Sequence, residues 1–191
     1  MLQAIIPSKA RREILALFFH SIGESYHLRR VCREVGQEIN AVKRELDILE
    51  SAKVLKKEKR LNKSIYTLNP SYEFFDEFMR IFSKETLLAK SLMKNKSRLG
   101  TVQFMAISLK YIRRVEIKES EVYLVVVGVV VEQEIQKIIH SLEKDFPFEI
   151  NYTVMSKKEF DYRKKQNDPF IWTFLKEPKV MLVGQESSMM V

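Results

Sequence analysis

Leu28-Arg29-Arg30-Val31-Cys32-Arg33-Glu34-Val35-Gly36-Gln37-Glu38-Ile39-Asn40-Ala41-Val42-Lys43-Arg44-Glu45-Leu46 holds two helical periods separated by one glycine. Leu28, Val31, Cys32 and Val35 recur at i, i+3, i+4 and i+7, which predicts a short helix with one buried stripe. Gly36-Gln37 ends that helix in a tight turn. The next helix is expected from about Glu38 to Ser51, with Ile39, Val42, Leu46 and Leu49 inward. Its outer side then presents Asn40, Ala41, Lys43 and Arg44 at the start. Cys32 falls inside the buried stripe and reads as a small core residue rather than a redox sensor. Glu38 stands where a capping serine is more usual, and its carboxylate suits the positive end of the helix dipole.

Upstream, Ser8 is positioned to cap a helix running to about His20, with Ile14, Leu15, Leu17, Phe18 and Phe19 as its apolar content. Gly23-Glu24-Ser25 breaks it. Downstream, Lys53-Val54-Leu55 and Ile65-Tyr66-Thr67-Leu68 are predicted as short strands joined by a basic loop with Asn62 at its turn. Residues 53–63 hold Lys53, Lys56, Lys57, Lys59, Arg60 and Lys63 against one acid, Glu58. Helix, short helix, glycine turn, helix and basic hairpin, in that order, predict a winged helix-turn-helix over residues 1–69. Its second helix fits the major groove of duplex DNA, where residues at the N-terminal end reach base edges. Gln37, Asn40, Ala41, Lys43 and Arg44 are therefore the expected recognition residues. Lys56, Lys57, Lys59, Arg60 and Lys63 form the expected wing, lying against phosphates beside the groove.

The charge distribution agrees with a polyanion surface in this half. The chain has 191 residues and a formal net charge of +8. Residues 1–100 carry 20 Lys and Arg against 12 Asp and Glu, whereas the remainder carries 13 of each. An excess confined to one region marks a local binding surface rather than general solubility. An apolar content of 46% and a charged content of 30% belong to a soluble globular protein of one large or two small domains. One cysteine excludes a disulfide framework and a cysteine-rich zinc module. His20, His27 and His140 fall in unrelated segments without ligand spacing, so no metal is expected. The longest apolar run, Val122 to Val131, is too short for a membrane-spanning helix. Met1 to Pro7 lacks the marks of an export leader, and a cytoplasmic location is expected.

Asn69-Pro70-Ser71 reads as a helix start. The helical connector that follows, residues 70–100, is unusually aromatic. Phe75, Met79 and Phe82 form one row; Phe74, Phe78 and Ile81 form a second. Leu87, Leu88, Leu92 and Met93 continue the apolar content. So broad a surface needs cover on more than one side, from flanking domains or from a second subunit. A homodimer is expected, because paired wings meet a palindromic site about a twofold axis.

Residues 101–186 read as a compact α/β domain. Strands are predicted at Thr101–Ser108, Glu121–Val127, Phe148–Val154 and Val180–Gly184, with the valine-rich second strand central and buried on both faces. Helices are predicted at Val131–Lys144, after the Ser156-Lys157-Lys158-Glu159 capping box to about Lys165, and from Asp168-Pro169 through Lys176. Residues 187–191 read as a tail. The expected class is α+β throughout.

The whole chain resembles prokaryotic transcriptional regulators that join a winged helix to a minimal nucleotidyltransferase-like domain. In the first part the resemblance lies in Leu28 to Leu46, with Gly36, Ala41-Val42 and Arg44-Glu45-Leu46. In the second it lies in Ile150 to Ser156 with Glu159-Phe160, Asp168-Pro169-Phe170 and Glu177-Pro178-Lys179-Val180. Active members of the broader superfamily close the first strand with Gly-Ser and carry Asp-x-Asp on the second, to cradle phosphate and hold magnesium. Here Leu109-Lys110 stands at the first place and Glu121-Val122-Tyr123 at the second, while Asn151 on the third strand is neutral. The resemblance thus implies a domain without catalytic residues, cofactor or metal, used for sensing, dimerisation or protein binding. Lys110, a cation at a strand end, is a candidate for holding an anionic effector. Two other classes remain open: a nucleotidyltransferase or antitoxin-type enzyme acting on a protein or small molecule, and an RNA-binding or purely protein-binding module.

Overall fold

A computed structural model describes residues 2–144 and 146–191. The chain divides between Phe82 and Ser83 into two units, each built around its own sheet, and the class is α+β. The division falls inside the predicted connector. Among the described residues, no helix is long and apolar enough to cross a membrane.

The first unit runs α1 (Leu2–Ile5), α2 (Lys9–His20), β1 (Ser25–His27), α3 (Leu28–Val35), α4 (Ile39–Ser51), β2 (Leu55–Arg60), β3 (Lys63–Leu68) and all but the last residue of α5 (Phe75–Ser83). Ser8 caps α2 as its sequence suggests, its side chain accepting from the Arg11 N–H. Ile14, Leu15, Phe18 and Phe19 of α2 are buried together with Val31 of α3 and Val42, Leu46 and Leu49 of α4. Ile39, expected inward, is 44% exposed, because the first turn of α4 projects past the core that those three residues reach.

Ser25-Tyr26-His27 is a strand rather than a simple break. It pairs antiparallel with β3, placing Tyr26 opposite Tyr66 and burying both. The segment expected to be a basic loop is itself strand: β2 and β3 pair antiparallel from Leu55↔Leu68 to Arg60↔Lys63 and leave only Leu61-Asn62 as the turn. Five charged residues in a row, Lys56 to Arg60, obscure a strand on sequence, yet an edge strand needs only one side paired and tolerates lysine. The helix expected at Pro70 starts at Phe75 instead. Asn69 explains the delay: its Nδ2 donates to the Lys53 carbonyl at 2.7 Å and its Oδ1 accepts from the Ser71 N–H, holding a turn. Phe75, Phe78 and Phe82 then pack on Phe19, the Phe19 and Phe82 rings stacking at 5.4 Å.

The second unit runs α6 (Leu87–Lys94), a 3₁₀ turn (Lys96–Arg98), β4 (Gly100–Ser108), α7 (Leu109–Ile112), β5 (Leu124–Val130), α8 (Glu132–Glu143), β6 (Tyr152–Met155), α9 (Lys157–Lys165), α10 (Pro169–Lys176), β7 (Lys179–Val183) and α11 (Glu186–Met190). Thr86 caps α6 and separates it from α5, so the connector is two helices and not one. The sheet order is β6-β5-β4-β7, with β5 parallel to β6 and the other pairs antiparallel. β5 is central, and Leu124, Val125, Val126 and Val127 are all buried, as a strand covered on both faces requires. Phe104, Ala106, Val125 and Val127 share one core with Met155, Phe160, Ile171, Phe174 and Leu175. Ile135 and Ile139 of α8 are buried as well.

Three boundaries move. β5 begins at Leu124 rather than Glu121, because Glu121 is engaged by Lys110 and by the Lys118 N–H ahead of the strand. β6 begins at Tyr152, since the alternation of Phe146 and Phe148 is used in ring contacts, Phe146 stacking on Tyr111 at 4.6 Å. The predicted tail is α11, with Met189 buried in the core.

Candidate nucleic-acid interface

α4 is held by its neighbours at both ends of its buried stripe. Gly36 closes α3 at φ 60, and the N–H groups of Gly36 and Gln37 both return to the Cys32 carbonyl. A Cβ on Gly36 would meet nothing within 4 Å, so only the backbone angle demands glycine there. At the start of α3, His27 Nδ1 accepts from the Arg30 N–H at 3.2 Å. Glu45 then fixes α4 against α2: it accepts from the Ser8 hydroxyl at 2.6 Å and from Arg11 Nε at 2.7 Å, with its side chain 13% exposed. Glu38, at the N-cap of α4, makes no capping hydrogen bond.

With that side pinned, Asn40, Lys43 and Arg44 face solvent, and Gln37 and Ala41 are half-buried at the turn and first helical residues. Arg44 Nε donates to the Asn40 carbonyl at 3.2 Å, which turns the guanidinium back toward the N-terminal end of the helix. Lys43 forms no ion pair among the described residues. Asp47 continues the same face one turn on, at i+4 from Lys43 and i+7 from Asn40.

Asp47 is also where the hairpin joins this face. Lys57 Nζ donates to Asp47 Oδ1 at 3.2 Å and lies over the Tyr66 ring at 5.6 Å. The bond to Asp47 raises the Lys57 pKa above the ordinary lysine value. Strand alternation puts Lys59 on the Lys57 side of the hairpin and Lys56, Glu58, Arg60 and Lys63 on the other. Arg60 pairs with Glu58 at 3.0 Å, and both are exposed. Lys56, Lys59 and Lys63 form no ion pair among the described residues. The five expected wing residues therefore differ: one bridges to α4, one is paired locally and three carry uncompensated charge. Sequence reading missed Glu45 and Asp47. Asp47 has a signal in its helical spacing from Asn40, whereas no linear pattern brings Glu45 to Ser8 and Arg11.

In the second unit, Lys110 is bound on two sides. Its ammonium lies 2.9 Å from Glu121 and 2.6 Å from Glu177, all three side chains being largely buried. Burial disfavours the charged ammonium, but the bonds to Glu177 and Glu121 outweigh it and raise the Lys110 pKa. The same bond to Lys110 holds Glu121 below the ordinary carboxylate value. Tyr123 is fully buried and its hydroxyl donates to the Val115 carbonyl at 2.9 Å. Leu109 is buried with its N–H on the Pro178 carbonyl. An open cleft of about 1010 Å³ lies between α8 and the approaches to β5 and β6, with Glu119, Glu121, Glu132, Glu143 and Glu149 on its walls. These facts correct the expectation of an anionic effector at Lys110. The cation is already neutralised by two carboxylates, beside a cleft whose charge repels anions. Among the described residues, no three His, Cys, Asp or Glu side chains gather as a metal-ligating group.

No protein-family model, curated protein or solved structure matches this chain.

Proposed function

We propose that the chain is a transcriptional regulator of the cytoplasm. In this reading its first unit is a winged helix-turn-helix that binds duplex DNA, and its second is a nucleotidyltransferase-like domain without catalysis. The observation that carries the reading is the continuity of one face: Asn40, Lys43 and Arg44 on α4 lead through Asp47 to Lys57 and then Lys59 of the hairpin. α4 would lie in the major groove, with Arg44 and Asn40 at base edges, where bidentate contacts distinguish guanine and adenine. Lys43, Lys56, Lys59 and Lys63 would supply phosphate affinity, and Gln37 and Ala41 would abut the backbone at the turn. A homodimer would place two such faces on a palindromic site.

Support for a non-catalytic second unit is chemical. A ring hydroxyl bonded to a backbone carbonyl and a carboxylate bonded to an ammonium occupy the places where the resemblance puts metal-holding acids. The unit would then act in partner binding or dimerisation.

Titration of the full chain with duplex and single-stranded oligonucleotides of the same mixed sequence tests the proposal. Preference for duplex, lost on Arg44→Ala, is the expected result. Equal affinity for the two forms, or none for either at low salt, overturns it.

A further inference from the structure

Leu61 is the one part of the hairpin whose chemistry the phosphate-binding role does not use. It occupies the apex, 102% exposed, with φ 53. Both properties are adverse. A leucine in full contact with water gains nothing from folding, and a left-handed backbone carries a steric cost for any residue with a branched side chain. Two-residue hairpin turns ordinarily take Asn, Asp or Gly at such a position. Around it stand Arg60, Asn62 and Lys63, with Lys59 just behind on the face that leads through Lys57 to Asp47 and α4.

We propose that Leu61 is a wedge that enters the minor groove of the bound duplex and partly unstacks one base step. This rests on the DNA-binding reading and adds to it a deformation of the DNA. The dimensions fit: the minor groove is about 6 Å wide, and paired strands stand about 4.8 Å apart, so only the apex of a tight hairpin enters without widening it. Leucine is among the side chains that intercalate from the minor groove, where the apolar contact offsets the lost stacking and the bend brings more phosphate to the protein. Lys59 and Lys63 flank the apex and are free to take those phosphates. A protein pocket would accept the same leucine, but the surrounding charge favours a polyanion.

The test is Leu61→Gly in the full chain. Glycine adopts φ 53 without strain, so the hairpin keeps its turn and the melting temperature holds or rises. The probe is a mixed-sequence duplex of about 30 base pairs with flexible TA steps and a dye at each end. Expected for the wild type is duplex binding with shortened end-to-end distance by energy transfer. For Leu61→Gly the bend is lost and affinity falls about tenfold, as for removal of one buried leucine contact. The salt dependence keeps its slope, because no charge is removed. Leu61→Met retains the bend. If Leu61→Gly binds and bends DNA like the wild type, the wedge is wrong while the DNA reading stands. If the wild type binds no duplex, the reading itself fails. If Leu61→Gly leaves DNA bending intact but abolishes self-association in sedimentation, the leucine docks on protein and the wedge is overturned.

Discussion

Arg11 and Glu45, 34 residues apart in the chain, meet at 2.7 Å and tie α4 to α2. Glu45 is the better target of the two, because it also accepts from Ser8. Glu45→Ala removes the acceptor of a guanidinium and a hydroxyl and is expected to cost about 1.5–3 kcal/mol of stability, the range for hydrogen bonds to charged groups. Urea denaturation followed by circular dichroism measures it. Arg11→Ala leaves the Ser8 bond in place and should cost less.

Asp47 is the acid on an otherwise basic face, and Lys57 is spent on neutralising it. Asp47→Asn should therefore strengthen duplex binding and steepen the salt dependence by roughly one phosphate contact, about 0.9 in the log–log slope. Lys57→Ala should flatten that slope less than Lys59→Ala or Lys63→Ala. A weaker complex with Asp47→Asn would remove α4 and the hairpin from a common face.

The Lys110–Glu121 contact gives stability two pH limits. Glu121 has its pKa depressed in the fold, so its contribution is present above the unfolded carboxylate value and is lost as pH falls through the folded one, in the region below about 4.3. Lys110 has its pKa raised, so its contribution is present below the unfolded lysine value and is lost as pH rises beyond about 10.4. Lys110→Met should weaken both dependences in thermal melts recorded across pH, and should lower stability at pH 7 by leaving Glu121 and Glu177 facing each other.

Gly36→Ala isolates a backbone cost. With open space around the Cβ position, only the left-handed angle opposes alanine, and a loss of about 1 kcal/mol is expected. A loss of several kcal/mol in urea denaturation would mean that the turn is constrained by more than this angle.

Tyr123→Asp should not create an enzyme. The substitution places a carboxylate in a fully buried position opposite the Val115 carbonyl. The expected outcome is lowered stability and no transfer of label from magnesium–ATP to protein or small-molecule acceptors. Transfer above the wild-type background would overturn the non-catalytic reading.

Much of the architecture was legible in the sequence because its signals are local. Ser8, Ser156 and Asp168 announce their helices by capping chemistry, and each side chain accepts the bond its position suggests. The valines of β5 announce a central strand. What was missed depends on partners distant in sequence. Ser25–His27 becomes a strand only because β3 passes beside it, and the basic run becomes a strand only because Ser64, Tyr66 and Leu68 pair across it. The outward residues of α4 followed from helical periodicity. The division of labour among the hairpin lysines did not, since Lys57 differs from Lys59 through its contacts with Asp47 and the Tyr66 ring.

Only Val42, Leu46 and Leu49 of the thirteen residues of α4 are fully buried. That economy separates two kinds of inheritance within one helix. Under the proposed DNA-binding function, substitutions at positions 40, 43, 44 and 47 would change which sequence is read, while the three core positions and Glu45 keep the helix where it is. Paralogues arising by duplication could thus diverge in target without passing through an unfolded ancestor, and a laboratory library randomised at those four sites should consist mostly of folded proteins.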